Sequence, residues 1–456
     1  MERNVSERRD YNFNINLKTN NYEIMKKFYS FTLLMLLPMT LCGIVAVAQT
    51  VTVDNIVYQI QNDGTAKLQK GSLATGNVVI PAEVEYEGKK YSVVNVGSWS
   101  FSKNTAITSV DLPVSVNSIE NGAFHFCKGL VSVTGGAETL DFLGSNAFGG
   151  TPWYANLPAE DGVKYWKGWI LDTDLPDGFD ELHIKEGTVG RNWDSGELQG
   201  KTLYLPKSLA FFSSSNVQVE KFVVDKENPT FFSDDFGAVY KKNGESSFYS
   251  DAENKWIDVT GQMLYKAPNK STAETFVVAV GTVCLDNGAF YEGHFGRIIV
   301  PEGCEYVLAD NFRSLSGCKY IELPSTLKYL TMYSPEGDSK MEIVLKAKEV
   351  PETDNDPFYN CGHITLYVPK ESLDKYLADS RYNGKFKEIK AIPDDAPLKG
   401  DINGDGKVNI ADVTTVYNYI ANPEATGLTL DKVDINGDGN VNATDITDLY
   451  NIIQME

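Results

Sequence analysis

The sequence predicts a β-rich repeat fold of the α/β kind, a solenoid, followed by a small all-α domain at its C-terminal end. Three observations predict it. Residues from about 75 to 390 repeat loosely with a period near 23. Short runs within them alternate apolar and polar residues, as half-buried strands do. The tail holds one twelve-residue pattern of Asp, Asn and Gly twice.

In chain order, residues 25–49 read as a secretory signal. Lys26 and Lys27 supply the positive end, Phe28 to Leu41 the apolar run broken by Pro38, and Ala46-Val47-Ala48 the small-x-small cleavage pattern, with maturation at or near Gln49. The run is too short and too broken to span a bilayer, so no membrane span is expected after cleavage. Residues 1–24 are polar, which makes Met25 the expected start. A lipoprotein signal at Cys42 is the rival, disfavoured because Leu41 stands where a small residue belongs.

The expected division is leader and signal over 1–48, an N-terminal β cap over 49–78, repeats over 79–392, a linker over 393–398 and the tail domain over 399–456. Small-Phe pairs mark the repeats: Ser100-Phe101, Ala123-Phe124, Ala147-Phe148, Ala289-Phe290 and Asn311-Phe312. Apolar-Pro pairs recur beside them, ending at Pro81, Pro113, Pro206, Pro301, Pro324 and Pro369. A period near 23 with one short strand per unit implies stacked coils, because one coil cannot bury its own apolar face. The Phe points into the stack, and Pro ends the strand and turns the chain. Residues from about 190 to 280 depart from the period, and Phe231-Phe232, Gly237-Ala238-Val239-Tyr240 and Leu264-Tyr265 read as inserted hairpins.

The tail pattern runs Asp401-Ile402-Asn403-Gly404-Asp405-Gly406-Lys407-Val408-Asn409-Ile410-Ala411-Asp412, and again from Asp434 to Asp445. Positions 1, 3, 5, 9 and 12 are Asp or Asn in both copies, and position 6 is Gly. Those are the oxygen-ligand positions of an EF-hand-type calcium loop, with the Gly its sharp turn requires. The metal-site candidates are Asp401, Asn403, Asp405, Asn409 and Asp412, then Asp434, Asn436, Asp438, Asn442 and Asp445. Lys407 and Asn440 at position 7 would give backbone carbonyls. Two Ca2+ ions are expected. The apolar position 8, Val408 and Val441, would pair the loops through a short strand. After each loop, apolar residues fall at helical spacing: Val413, Val416, Tyr417 and Ile420, then Ile446, Leu449, Tyr450 and Ile453. Each helix therefore has one apolar face, and the two faces are expected to bury each other.

With Pro393 and Pro397 breaking the segment ahead of it, the tail is loop-helix, linker, loop-helix. Over roughly residues 399–454 it resembles a type I dockerin, the calcium-dependent module that plugs into a cohesin partner. The resemblance implies a cohesin-like or other surface protein as partner. In that family positions 10 and 11 help choose it. Here they are Ile410 and Ala411, then Ala443 and Thr444, so the copies differ and lack the Ser-Thr pair common in dockerins.

The repeats resemble BspA-type leucine-rich repeat proteins of Bacteroidetes surfaces over roughly residues 50–392. The run from Ile119-Glu120-Asn121-Gly122-Ala123-Phe124 to Leu130 carries the resemblance, with Thr151-Pro152-Trp153-Tyr154, Ile184-Lys185-Glu186-Gly187-Thr188, and the opening Tyr58-Gln59-Ile60 and Asn62-Asp63-Gly64. It implies a leucine-rich-repeat solenoid and a surface protein.

A net charge of −21 over 456 residues disfavours nucleic acid and anionic membranes as partners. Cys127, Cys284, Cys304, Cys318 and Cys361 are too spread for a disulfide scaffold and read as small buried thiols. The four histidines, His125, His183, His294 and His363, form no zinc-like pair, and no nucleophile elbow or phosphate-cradling loop occurs. His125 reads as a coil-edge residue. Trp153, Trp166 and Trp169 could stack on sugars but read better as ring-filled core.

The function expected is non-catalytic: a secreted or cell-surface binding protein, its solenoid presenting a surface to a protein or glycan and its tail mediating assembly. The alternatives are a component of polysaccharide degradation tethered by the tail, and a host-matrix adhesin.

Overall fold

The computed structural model describes residues 49–250, 254–333, 341–354, 357–393, 400–404, 407–436 and 439–455. The signal sequence, Met25, Cys42, linker residues 394–398 and the ligand candidates Asp405 and Asp438 lie outside them.

The repeats form a stack of coils held by two parallel ladders. One ladder runs through Gly76–Val79, Ile107–Leu112 and Ser132–Gly135, resumes at Phe179–His183, Leu198–Leu205 and Val217–Val224, and resumes again from Thr275–Val277 to Glu388–Ala391. The other is built mostly from two-residue strands, such as Ser118–Ile119 on Phe142–Leu143 and Cys284–Leu285 on Tyr306–Val307. Each coil therefore gives two strands where the sequence led us to expect one. A two-residue strand is too short to show alternation, which is why the second ladder left no periodic signal.

All five marker phenylalanines are buried to 1 % exposure or less. Equivalent rings stack coil on coil: Phe101 on Phe124 at 5.0 Å, Phe124 on Phe148 at 5.1 Å and Phe290 on Phe312 at 5.9 Å between centroids. The backbone must turn sharply on both sides of each ring. Two residues before it, Trp99, Gly122, Asn146, Gly288 and Asp310 have φ between +53° and +68°. Two residues after it, Lys103, Phe126, Gly150, Glu292 and Ser314 have φ between +56° and +74°. This left-handed region costs a residue with a β-carbon roughly 1–2 kcal/mol, so the slots favour Gly, Asn and Asp.

Buried asparagines staple successive coils. The Asn104 amide donates to the carbonyls of Gly71 (3.0 Å) and Ala74 (2.8 Å). That of Asn311 donates to Leu285 (3.1 Å), Asp286 (3.0 Å) and Leu308 (2.8 Å). Each adds side-chain bonds to corner carbonyls, several of which also accept a backbone N–H, such as Gly71 from Ala74 and Asp286 from Ala289. The five described cysteines are free and buried, matching the expected packing role. Trp169 is also buried, its indole N–H on the Leu140 carbonyl at 3.0 Å. Trp153 and Trp166 pack half-buried against Phe148, so this trio fills core and offers no sugar platform.

Within the stretch expected to be irregular, residues up to Val224 still pair in parallel, for instance Leu203 on Phe222. The departure is a long hairpin, Val239–Ser250 with Lys255–Lys266, which Phe231–Ser233 extends by antiparallel pairing on Val239–Lys241. Its base joins the ladder at Cys284. Its far part lies over the later coils, with Phe248 stacked 3.8 Å from Tyr329. Phe358, Tyr376, Tyr382 and Phe386 close the last coil as a packed aromatic group.

In the tail, Ile410–Ala421 and Ala443–Met455 are helices, joined through the short turns Pro423–Thr426 and Leu430–Val433. Val413, Val416, Ile446 and Leu449 bury each other as expected. Tyr417, Ile420 and Tyr450 do not join them: they are 56 %, 39 % and 39 % exposed. The shared interface is narrower than the apolar stripe on either helix. Val408 and Val441 reach the same core, but among the described residues neither pairs as a strand, which corrects the expected loop-to-loop ladder.

Candidate metal centre

Each tail loop is folded around its own last carboxylate. Asp412 is fully buried. Its Oδ1 accepts from the N–H groups of Ile402 (2.8 Å) and Asn403 (3.0 Å), and its Oδ2 from that of Asn409 (2.9 Å). Asp445 repeats this with Ile435 (2.9 Å), Asn436 (3.4 Å) and Asn442 (2.8 Å), and is equally buried. Positions 2, 3 and 9 thus bend toward position 12 in both copies.

The hydrophobic core sets this geometry. Ile402 and Ile435 at position 2 are buried with Val408 and Val433 between the helices, and anchor the loop's entry. Asn409 caps the first helix: its side chain accepts from Ala411 N–H at 2.9 Å while Asp412 binds back, a reciprocal capping box. Asn442 caps the second through Thr444 N–H at 2.9 Å. Gly439 at position 6 has φ +83° and donates to Asp434 Oδ2 at 2.7 Å, closing the turn on the first ligand position. Gly400, just before the first loop, has φ +93°, and a β-carbon there would fall 2.8 Å from Val408.

These residues fit a hard divalent cation. Asp412 and Asp445 are buried carboxylates whose bonded partners are backbone N–H groups, with no Lys or Arg among them. An ionised carboxylate removed from water needs a positive partner or a metal. Oxygen-only donors, carboxylate and amide, are what Ca2+ takes. Among the described residues no group of three His, Cys, Asp or Glu gathers, because Asn fills positions 3 and 9 and the third Asp of each loop lies outside them. Asp401, Asn403, Asp412 and the Lys407 carbonyl would hold one ion, and Asp434, Asn436, Asp445 and the Asn440 carbonyl the other. Asn409 and Asn442 commit their side-chain oxygen to the helix cap, so position 9 is suited to reach an ion through water, as it often does in such loops.

The copies differ at position 11. Thr444 donates to Asn442 Oδ1 (2.9 Å) and accepts from the Asn436 amide (3.0 Å), where the first loop has Ala411. The sequence reading named the ligand positions but not these N–H donors or caps. The signal was present as Asn-x-x-Asp at the start of each helix.

Comparison with known families agrees with this geometry. The type I dockerin domain matches residues 399–454, and the BspA type leucine-rich repeat region matches residues 87–168 and 282–395 in six copies. The chain carries BspA-type leucine-rich repeats and a C-terminal type I dockerin domain. Type I dockerin domains typically bind calcium. No curated protein matches the chain. Among solved structures it is similar to a leucine-rich cell surface protein of Faecalibacterium prausnitzii, at 15 % identity over 78 % of this chain and 97 % of that one, TM-score 0.35. It is also similar to the pneumococcal vaccine antigen PcpA (17 %, 76 % and 99 %, 0.35) and to a leucine-rich repeat protein of Eubacterium ventriosum (17 %, 76 % and 86 %, 0.33). Among the described residues of the repeats and dockerin, no helix is long and apolar enough to cross a membrane.

Proposed function

We propose that this chain is a non-catalytic secreted or cell-surface binding protein, attached to a cohesin-like partner by its dockerin in a calcium-dependent way. One observation carries the reading. Both loops place their last carboxylate in the dockerin core on the N–H groups of their own backbone. That arrangement ties loop closure, helix start and ion together, so two bound ions set the helices that a partner would meet. The ligands are Asp401, Asn403, Asp405, Asn409 and Asp412 with the Lys407 carbonyl, and Asp434, Asn436, Asp438, Asn442 and Asp445 with the Asn440 carbonyl.

The apolar residues left outside the dockerin core supply the docking face. Ile410 and Tyr417, 59 % and 56 % exposed, lie two turns apart on the first helix, with Ile420 one turn further. The solenoid over about 79–392, beginning from the β cap at 49–78, is the display surface. The signal over 25–48 would deliver the chain to a calcium-bearing compartment.

The test is capture of the full chain by an immobilised cohesin-like domain. Capture is expected in millimolar Ca2+, lost in excess chelator, and lost in the double variant Asp412→Asn, Asp445→Asn. Retention in excess chelator would refute the reading.

A further inference from the structure

We propose that the solenoid carries a binding site for a neutral polysaccharide, formed by the exposed rings of Trp99 and Phe126 with the half-buried His125 beside them, on one corner of the N-terminal coils. The proposal is independent of the dockerin reading.

The left-handed slots on either side of the stacked phenylalanines single this corner out. Most are filled by Gly, Asn, Asp or Ser, which accept a positive φ with little strain. Trp99 (φ +57°) and Phe126 (φ +56°) put large aromatic side chains there instead. A bulky residue in this conformation is an outlier, and such outliers gather where function maintains them. Neither ring is spent on the core: Trp99 is 55 % exposed and Phe126 44 %.

Both rings lie against a glycine of the next coil. A β-carbon at Gly122 would fall 2.3 Å from the Trp99 ring, and one at Gly150 2.3 Å from the Phe126 ring. Each ring thus rests against a glycine backbone and remains about half exposed, Trp99 to 55 % and Phe126 to 44 %. His125 joins them, 5.5 Å from Trp99 edge to face and 4.1 Å from Phe126. The result is a continuous aromatic surface spanning adjacent coils.

The chemistry of this surface selects the ligand. Open aromatic faces take the C–H face of a pyranose, while polar groups around them take its hydroxyls. Ser102, Lys103 and Asn146 occupy the same turn positions on neighbouring coils. Partial burial, with Lys103 nearby, lowers the pKa of His125, so its imidazole is neutral at pH 7 and serves as donor or acceptor without charge. One lysine in a chain of net charge −21 gives a polyanion no attractive field.

The experiment is affinity electrophoresis of the full chain through xyloglucan, mixed-linkage β-glucan and galactomannan, with polygalacturonate as the anionic comparison. At least one neutral polysaccharide is expected to retard the wild type. Trp99→Gly and Phe126→Gly are expected to weaken binding at least tenfold while melting within a few degrees of wild type, because Gly suits both slots. Trp256→Ala, at an exposed aromatic on the hairpin, is expected to bind as wild type does. Retardation by polygalacturonate alone, or by none, would overturn the proposal. So would variants that bind unchanged, or that lose binding only together with a collapse in melting temperature.

Discussion

The solenoid and the dockerin meet the same physical problem in opposite ways. Both must turn the backbone tightly every few residues and leave nothing polar stranded inside. The solenoid fills its corners with neutral groups: stacked phenylalanines, left-handed turns beside them, and asparagine amides on the carbonyls of the coil before. The dockerin fills its corners with carboxylates, each on three backbone N–H groups. Neutral corners are complete as soon as the chain folds. On the proposed reading the charged corners wait for a counter-ion, so the solenoid is expected to fold unconditionally and the dockerin to respond to its solution.

Withdrawing calcium is the largest test of that contrast. Each loop carries three carboxylates within twelve residues, and without an ion their repulsion and burial are expected to oppose closure. Chelation is therefore expected to abolish the helical circular dichroism of the dockerin while the melting transition of the solenoid stays in place. At a hundredfold excess of Ca2+ over its Kd the stabilisation should reach about 2.7 kcal/mol per ion. A dockerin transition unmoved by chelator, or a solenoid transition that moves with it, would remove the distinction.

A ring in the middle of the phenylalanine stack probes the other half. Phe124 touches Phe101 on one side and Phe148 on the other. Phe124→Ala should cost about 3–5 kcal/mol, the usual cost of emptying a packed aromatic site. Calorimetry should show the solenoid transition lowered and the calcium-dependent one unchanged. A loss below about 1 kcal/mol would mean that the coils close on something other than their rings.

How much of this was legible follows from the same contrast. Candidate ligand positions in a calcium loop follow from sequence spacing, which is why the dockerin over residues 399–454 was legible and why Asp401 to Asp412 and Asp434 to Asp445 are proposed as its ligand runs. The stacked Phe and the strand-ending Pro were legible because each recurs once per coil. What escaped was set by tertiary contact. Tyr306 and Tyr329 lie in two-residue strands that carry no alternation to read, and the hairpin folds back onto them through Phe248. The left-handed slots hold Gly, Asn, Asp, Trp, Lys, Phe, Glu and Ser, a mixture with no common letter, so only the backbone reveals them. Tyr417, Ile420 and Tyr450 had the right helical phase, but phase gives the direction of an apolar stripe and not the width that a partner helix covers.

Buried charge inside the solenoid supplies the finest comparison. Lys266 is 4 % exposed and donates to the Tyr291 carbonyl at 2.8 Å, with the Tyr291 ring 5.9 Å away. Burial pushes its pKa down to about 8, against the opposing pull of Glu292. In the unfolded chain a lysine titrates near 10.4. Below about pH 8 both states are protonated and the penalty is constant. Between about 8 and 10.4 the unfolded state holds more protons, so this residue makes stability rise with pH. Buried thiols act in the opposite sense, Cys127 being pushed up to about 11, so the readout is the difference between wild type and a Lys266→Met variant across pH 7 to 10. The variant is expected to be more stable at pH 7 by on the order of 2 kcal/mol, with the advantage shrinking toward pH 10. A constant difference across that range would show that Lys266 keeps an ordinary pKa in the folded coil. A shrinking one would show that the solenoid relieves a buried charge by releasing a proton, where the dockerin is proposed to take up a metal.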